Sequence, residues 1–180
     1  MTDHSVAHGT FVIERDYPHP AAKVFAAFAV LELKQHWFGG EESAADLREF
    51  DFRVGGREFR KGKMPDGGEY TFDVTYQDIV PDNRIVYTYD MHIGGKRISV
   101  SLAVIELKPT RAGTHLTVTE YGAFLDGLDT VDKREGGTKW LLDKLGLADI
   151  LCDNCKYDHP SACRRPERPN ARQCVEYKRR

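Results

Sequence analysis

The feature that most constrains this chain is an alternation of apolar and polar residues in short segments separated by Gly-Gly pairs. In "EYTFDVTYQDIV", Tyr70, Phe72, Val74 and Tyr76 fall on one side and Thr71, Asp73, Thr75 and Gln77 on the other, a period of two that fits a strand with one buried and one wet face. "RIVYTYDMH" repeats the pattern with Ile85, Tyr87, Tyr89 and Met91. "RISVSLAVIEL" does so with Ile98, Val100, Leu102 and Val104, and "THLTVTEY" with Leu116 and Val118. Three of the five Gly-Gly pairs (Gly55-Gly56, Gly67-Gly68 and Gly94-Gly95) lie between such segments, where positive φ closes tight hairpins. With "DLREFDF", "REFRKGK" and the N-terminal "TFVIERDY", the reading is a six- to seven-stranded antiparallel sheet.

Helical spacing is confined to two stretches. In "PHPAAKVFAAFAVLELKQHWF", Pro20 suits a first turn and Val24, Phe25 and Phe28 make an apolar stripe, with Leu31, Trp37 and Phe38 in a second short helix. In "DTVDKREGGTKWLLDKLGLADIL", Trp140, Leu141, Leu145 and Ala148 recur as on a helix that lies on a sheet. The order strand, helix pair, meander, long helix makes an α+β domain. One helix does not cover a strongly twisted sheet completely, so a cavity is expected between helix and sheet, where ligands bind. Gly136 and Gly137 fall inside the terminal helical stretch, where glycine costs about 1 kcal/mol relative to alanine. They leave room for a ligand or for close sheet contact, or the helix starts after them.

The 180 residues, 41% of them hydrophobic, suit one domain over residues 1–150 that buries about 70% of its unfolded surface and needs no metal to fold. All four cysteines stand in the remaining 151–180, together with eight Lys/Arg against four Asp/Glu, so that this tail carries +4 and the body −6. The tail's few aromatic residues argue against nucleic-acid binding. No apolar run reaches membrane-spanning length and the N-terminus has no apolar leader, so a cytoplasmic setting with reduced thiols is expected.

Phosphate-loop, H-E-x-x-H and G-x-S-x-G patterns are absent from the sequence. What stands on the inward parity is aromatic: Phe72, Tyr76, Tyr87 and Tyr89 from strands, Trp37, Phe38 and Trp140 from helices. These are core residues or a ligand pocket, and buried tyrosine hydroxyls require polar partners. Val100 and Leu141 join the candidate lining on the same parity argument. Glu120 continues the parity of Leu116 and Val118, which points a carboxylate into the apolar side unless the strand end leaves it in solvent. Burial raises a carboxyl pKa and suits it to acid–base work. His92 and His115 fall on wet parity, and Arg15 and Asp16 read as a solvated pair.

The landmarks resemble the SRPBCC superfamily (START-like, helix-grip fold) and, within it, the bacterial heat-shock-protein-90 ATPase activator-like family. The matching text is "IERDYPHPAAKVFAAF", "LKQHWF", "DFRVGGREF", "VTYQDIVPDNRIVYTY", "AGTHLTVTEYG" and "GGTKWLLDKL", covering about residues 10–148. The resemblance implies a sheet wrapped around a long C-terminal helix and a hydrophobic pocket that holds lipids, polyketides or other apolar molecules in various relatives. It implies no particular reaction. The first expectation is a binding module for a small hydrophobic molecule, without covalent chemistry and without a cofactor in the main domain. The second is a cyclase- or hydrolase-type enzyme using Glu120 and the tyrosines. The third is a chaperone-related interaction domain with the tail as its protein-docking site.

The tail spaces its thiols Cys152-x2-Cys155-x7-Cys163-x10-Cys174, with His159 between the second and third. Four soft ligands would close a structural zinc site. Disulfides, thiol redox work and an unliganded tail are the alternatives, and Pro160, Pro166 and Pro169 forbid a continuous helix.

Overall fold

The structure is a computed structural model that describes residues 4–38, 47–63 and 67–147. The chain divides into two compact units, Met1–Gly146 and Leu147–Arg180. The cysteines, and the zinc expected on them, lie outside the described residues.

The first unit is one seven-stranded antiparallel sheet, in the order β1-β7-β6-β5-β4-β3-β2, crossed by a C-terminal helix. The strands are β1 (Val6–Tyr17), β2 (Leu47–Phe50), β3 (Arg57–Lys63), β4 (Glu69–Val80), β5 (Arg84–Ile93), β6 (Lys96–Thr110) and β7 (Gly113–Leu125). Strands β2 to β7 form the expected meander, and β1 returns to pair with β7 along its whole length. The hairpin glycines take positive φ where the turns demand it, as at Gly55 (77°), Gly94 (57°) and Gly95 (78°). Helices α1 (Ala21–Ala29) and α2 (Leu31–Trp37) lie between β1 and β2, and α3 (Val131–Leu147) follows β7.

The inward parities of β4, β5 and β7 hold, burying Phe72, Val74, Tyr76, Ile85, Tyr89, Leu116 and Val118. That of β6 is reversed. The β5–β6 register shifts between Met91 and His92, which pairs Met91 with Ser99 and His92 with Arg97 and leaves Ile98 unpaired. Such a bulge puts two consecutive residues on one side. Ile98 and Ser99 are both buried, after which Ser101, Ala103, Ile105 and Leu107 face inward. Val100 stands on the outer face, 44% exposed, and is not a lining residue. The apolar run of β6 carries candidates on both parities, and alternation counted from Ile98 picks the wrong one.

Thr130 caps α3: its side-chain oxygen accepts from the Lys133 amide at 3.3 Å, and its carbonyl accepts the first helical bond, from Arg134, at 3.1 Å. The helix therefore begins well before Gly136 and Gly137, and a start after them is excluded. A methyl group built on either glycine would meet no atom within 4 Å, so close sheet contact does not explain them either. Near its far end α3 is anchored by Tyr17, whose buried hydroxyl donates to the Leu142 carbonyl at 2.8 Å. Trp37 holds α2 against α1 by donating its indole N–H to the Ala27 carbonyl at 2.8 Å.

Candidate functional site

A cavity of about 490 Å³ lies between the sheet and α3. Among the residues expected to line it, Trp37, Phe38, Phe72, Tyr87, Tyr89, Glu120, Trp140 and Leu141 do so. Trp140 stands at the mouth, 52% exposed, with the Lys144 ammonium 4.0 Å from its ring centroid. Gly137 is also on the wall.

The walls are mostly apolar, with Lys133 and Thr138 from α3 and one buried polar cluster among them. Glu120 is not at a wet strand end; it is 3% exposed. Tyr89 donates its hydroxyl to Glu120 Oε1 at 2.6 Å and accepts from Arg134 Nη1 at 2.6 Å. Arg134 Nη2 reaches Ser99 Oγ at 2.7 Å and Asp129 Oδ2 at 2.5 Å. The β6 bulge is what turns Ser99 toward this arginine. Burial pushes the Glu120 carboxyl above its ordinary range, against the opposing pull of the Tyr89 hydrogen bond and the Arg134 charge. Burial, with Glu120 close by, raises the Tyr89 phenol too, so it stays a donor. The cluster can therefore offer a proton from a neutral carboxyl or take one up, beside an apolar void.

A second buried cluster lies on the β3 side, where Tyr76 is found instead of on the cavity wall. Glu58 is fully buried. Its Oε2 accepts from Lys34 Nζ at 2.5 Å and from the Tyr76 hydroxyl at 2.7 Å, and its Oε1 accepts from Arg60 Nε at 2.7 Å. Burial acts to raise the Glu58 pKa, but the two cations outweigh it and hold the carboxyl low. Burial lowers the Lys34 pKa despite Glu58. A small hollow of about 30 Å³, room for about one water, adjoins Lys34, Glu58 and Tyr76. A column of rings joins the two clusters. The Arg60 guanidinium carbon lies 4.8 Å from the Phe38 ring centroid; Phe38 is 5.4 Å from Phe72, and Phe72 is 4.9 Å from Tyr89.

Sequence reasoning missed Arg134, Asp129 and Ser99 at the first cluster and Lys34, Glu58 and Arg60 at the second. The available signal was the i, i+2 spacing of Glu58 and Arg60 in "REFRKGK", which puts both on one face of a strand. The expected Arg15–Asp16 pair is not formed: Arg15 bonds Asp143 at 2.9 Å and Asp16 bonds His115 at 2.8 Å. Among the described residues no group of three or more metal-ligating side chains occurs, and no helix is long and apolar enough to cross a membrane.

Comparison with known proteins agrees with this architecture. The Mll3558 protein from Rhizobium loti is 46% identical, with a TM-score of 0.75 over 81% of this chain and 99% of its own. An uncharacterized protein from Rhizobium leguminosarum is 41% identical, with a TM-score of 0.77 over 81% of this chain and 97% of its own. A Staphylococcus aureus protein of unknown function, SA2116, at 19% identity and a TM-score of 0.60 over 79% and 94% of the two chains, shares the fold alone. Among curated proteins no match is found. Residues 18–147 match the family described as Activator of Hsp90 ATPase homolog 1-like protein. The chain belongs to this family of the SRPBCC superfamily, and its first unit is a helix-grip domain.

Proposed function

We propose that this domain binds a small, largely apolar molecule, lipid- or polyketide-like, in the cavity between sheet and α3, without covalent chemistry. The observation that carries the reading is the cavity itself. Its roughly 490 Å³ falls in the range of small-molecule sites, and a few polar groups on mostly apolar walls are the usual way such sites fix orientation.

Native mass spectrometry of the protein from its own cells tests the reading. A retained mass of a few hundred daltons is expected, and Leu141→Trp, which enlarges a side chain on the cavity wall, should reduce it. Protein that carries no such mass and binds no apolar fluorophore in the wild type would refute it.

One observation favours a second reading, an acid–base enzyme of the cyclase or hydrolase kind. Glu120, raised by burial and hydrogen-bonded to Tyr89, faces the same cavity and has the proton-transfer capacity such chemistry needs. Under this reading Glu120→Gln halts conversion of the retained compound without weakening its binding. If the compound stays unchanged in the wild type as well, the binding-module reading stands.

A further inference from the structure

One hydroxyl on the cavity wall has nothing to bond. Tyr87 lines both the large cavity and the small hollow, and its hydroxyl has no hydrogen-bond partner among the described residues. The tyrosines beside it are satisfied: Tyr76 donates to Glu58 at 2.7 Å and Tyr89 to Glu120 at 2.6 Å, with rings 6.2 and 5.9 Å from that of Tyr87. Burial keeps the Tyr87 phenol protonated, and donors in such places are nearly always paired.

The cavity's acid stands in the same row of the sheet. Tyr87 pairs with Ala103, and Ala103 with Glu120, so only an alanine separates phenol and carboxyl on the inner face. Glu120 turns Oε1 to Tyr89 at 2.6 Å and to Arg134 at 3.7 Å, and its other oxygen has no hydrogen-bond partner among the described residues.

We infer that the cavity's ligand is a neutral carbonyl compound, a ketone or ester on an apolar frame, whose oxygen accepts from the Tyr87 hydroxyl and the Glu120 carboxyl. The inference rests on the small-molecule reading above and adds the ligand's chemical class. A carbonyl oxygen has two lone pairs for two donors and brings no hydrogen that itself needs an acceptor, whereas a hydroxyl brings one. Burial, which raises the Glu120 pKa, supplies the second donor, and a phenol beside a carboxyl kept neutral by apolar surroundings is a donor pair suited to a carbonyl oxygen. Charged groups of either sign meet their like here. An anion faces Asp129, also on the wall, while Arg134 is already spread over Tyr89, Ser99 and Asp129. A cation faces the Arg134 guanidinium, 3.7 Å from the same carboxyl, in a medium where uncompensated charge is costly.

Calorimetric titration of the full chain with benzophenone, benzhydrol, benzhydrylamine and diphenylacetate tests this, since the four carry the same pair of rings and differ in the polar group. At neutral pH the ketone should bind at least about fivefold more tightly than the alcohol, and more tightly than the amine and the acid. Tyr87→Phe should weaken the ketone about three- to tenfold, the worth of one neutral hydrogen bond, while Glu120→Gln, which still offers a donor, should keep the preference. The carbonyl stretch of bound benzophenone should lie below its value in hexane, and Tyr87→Phe should reverse part of that shift. Because its hydroxyl has no partner to lose in the free protein, Tyr87→Phe should leave the urea midpoint unchanged, whereas Tyr76→Phe should lower it.

Equal binding of ketone and alcohol by the wild type, tighter binding of the amine or the acid, or a preference and a stretch that Tyr87→Phe leaves alone would overturn the carbonyl assignment and leave the apolar cavity standing. Loss of the preference in Glu120→Gln would overturn the donor role of Glu120. A large loss of stability in Tyr87→Phe would mean that the hydroxyl serves the fold. Absence of binding by all four compounds would remove the small-molecule reading as well. The ketone-to-alcohol comparison and the carbonyl stretch need only the wild type, so they hold even where a variant fails to fold.

Discussion

The two buried polar clusters use the same residue types to opposite effect. At the α3 side, Arg134 is surrounded by Tyr89, Ser99, Asp129 and Glu120, and its donors are spread over three of them. At the β3 side, Arg60 and Lys34 share one carboxylate, and two of the three guanidinium nitrogens have no partner among the described residues. The first cluster can shed charge by protonating Glu120, whose pKa is already raised. At the second the carboxyl stays ionised between the cations around it, and it is the Lys34 ammonium that burial pushes toward its neutral form. Similar chemistry therefore yields one site whose acid is pushed toward its neutral form and one whose acid is locked as an anion.

The largest expected effect follows from that locked anion. Glu58→Gln leaves two buried cations without a counter-charge and should lower stability by about 3–5 kcal/mol in urea unfolding. A loss below about 1 kcal/mol would mean that the cluster is not held by this carboxylate. Arg134→Met should cost less, about 2–3 kcal/mol, because the carboxyl left behind can take up a proton. Equal costs at the two sites would erase the distinction.

Glu120→Gln should change stability by about 1 kcal/mol or less near neutral pH, and its pH profile sharpens the comparison. A carboxyl with a raised folded-state pKa keeps its proton while the unfolded chain releases it. Stability then falls as pH rises from the ordinary carboxylate value through the folded-state value. Glu120→Gln should remove that decline, so its advantage over the wild type grows across the window. Glu58 has the reverse sign: its contribution is present above the ordinary carboxylate value and is lost as pH falls. Parallel profiles for Glu120→Gln and the wild type would show that Glu120 does not titrate differently on folding. The smallest effect on stability belongs to Trp140→Ala at the cavity mouth, within about 0.5 kcal/mol, while retention of an apolar fluorophore should drop measurably.

Much of this was legible in the sequence. Period-two alternation and Gly-Gly turns carried the sheet, and the aromatic residues on inward parity carried most of the cavity wall, because both depend on neighbours only a few residues apart. The bulge at Ile98 was not legible, since it arises from pairing between β5 and β6 and inverts every later residue on β6. That inversion misplaced Val100 and hid Ser99. The charged clusters were hidden for a related reason. "REFRKGK" and "DKREGG" read as solvated runs, and only the fold brings Lys34 and Tyr76 to Glu58, or Tyr89 to Arg134. Glu120 was visible by parity alone, but its burial depends on α3 crossing above it.

Helix α3 is fastened at two places, near its start through Arg134 and toward its end through the Tyr17–Leu142 bond, and between them stand two glycines where an added side chain would meet open space. It behaves like a beam resting on two piers. Side chains along the free span can be exchanged for larger or smaller ones without disturbing either footing, so the shape of the chamber below can be retuned while the building that contains it stays the same.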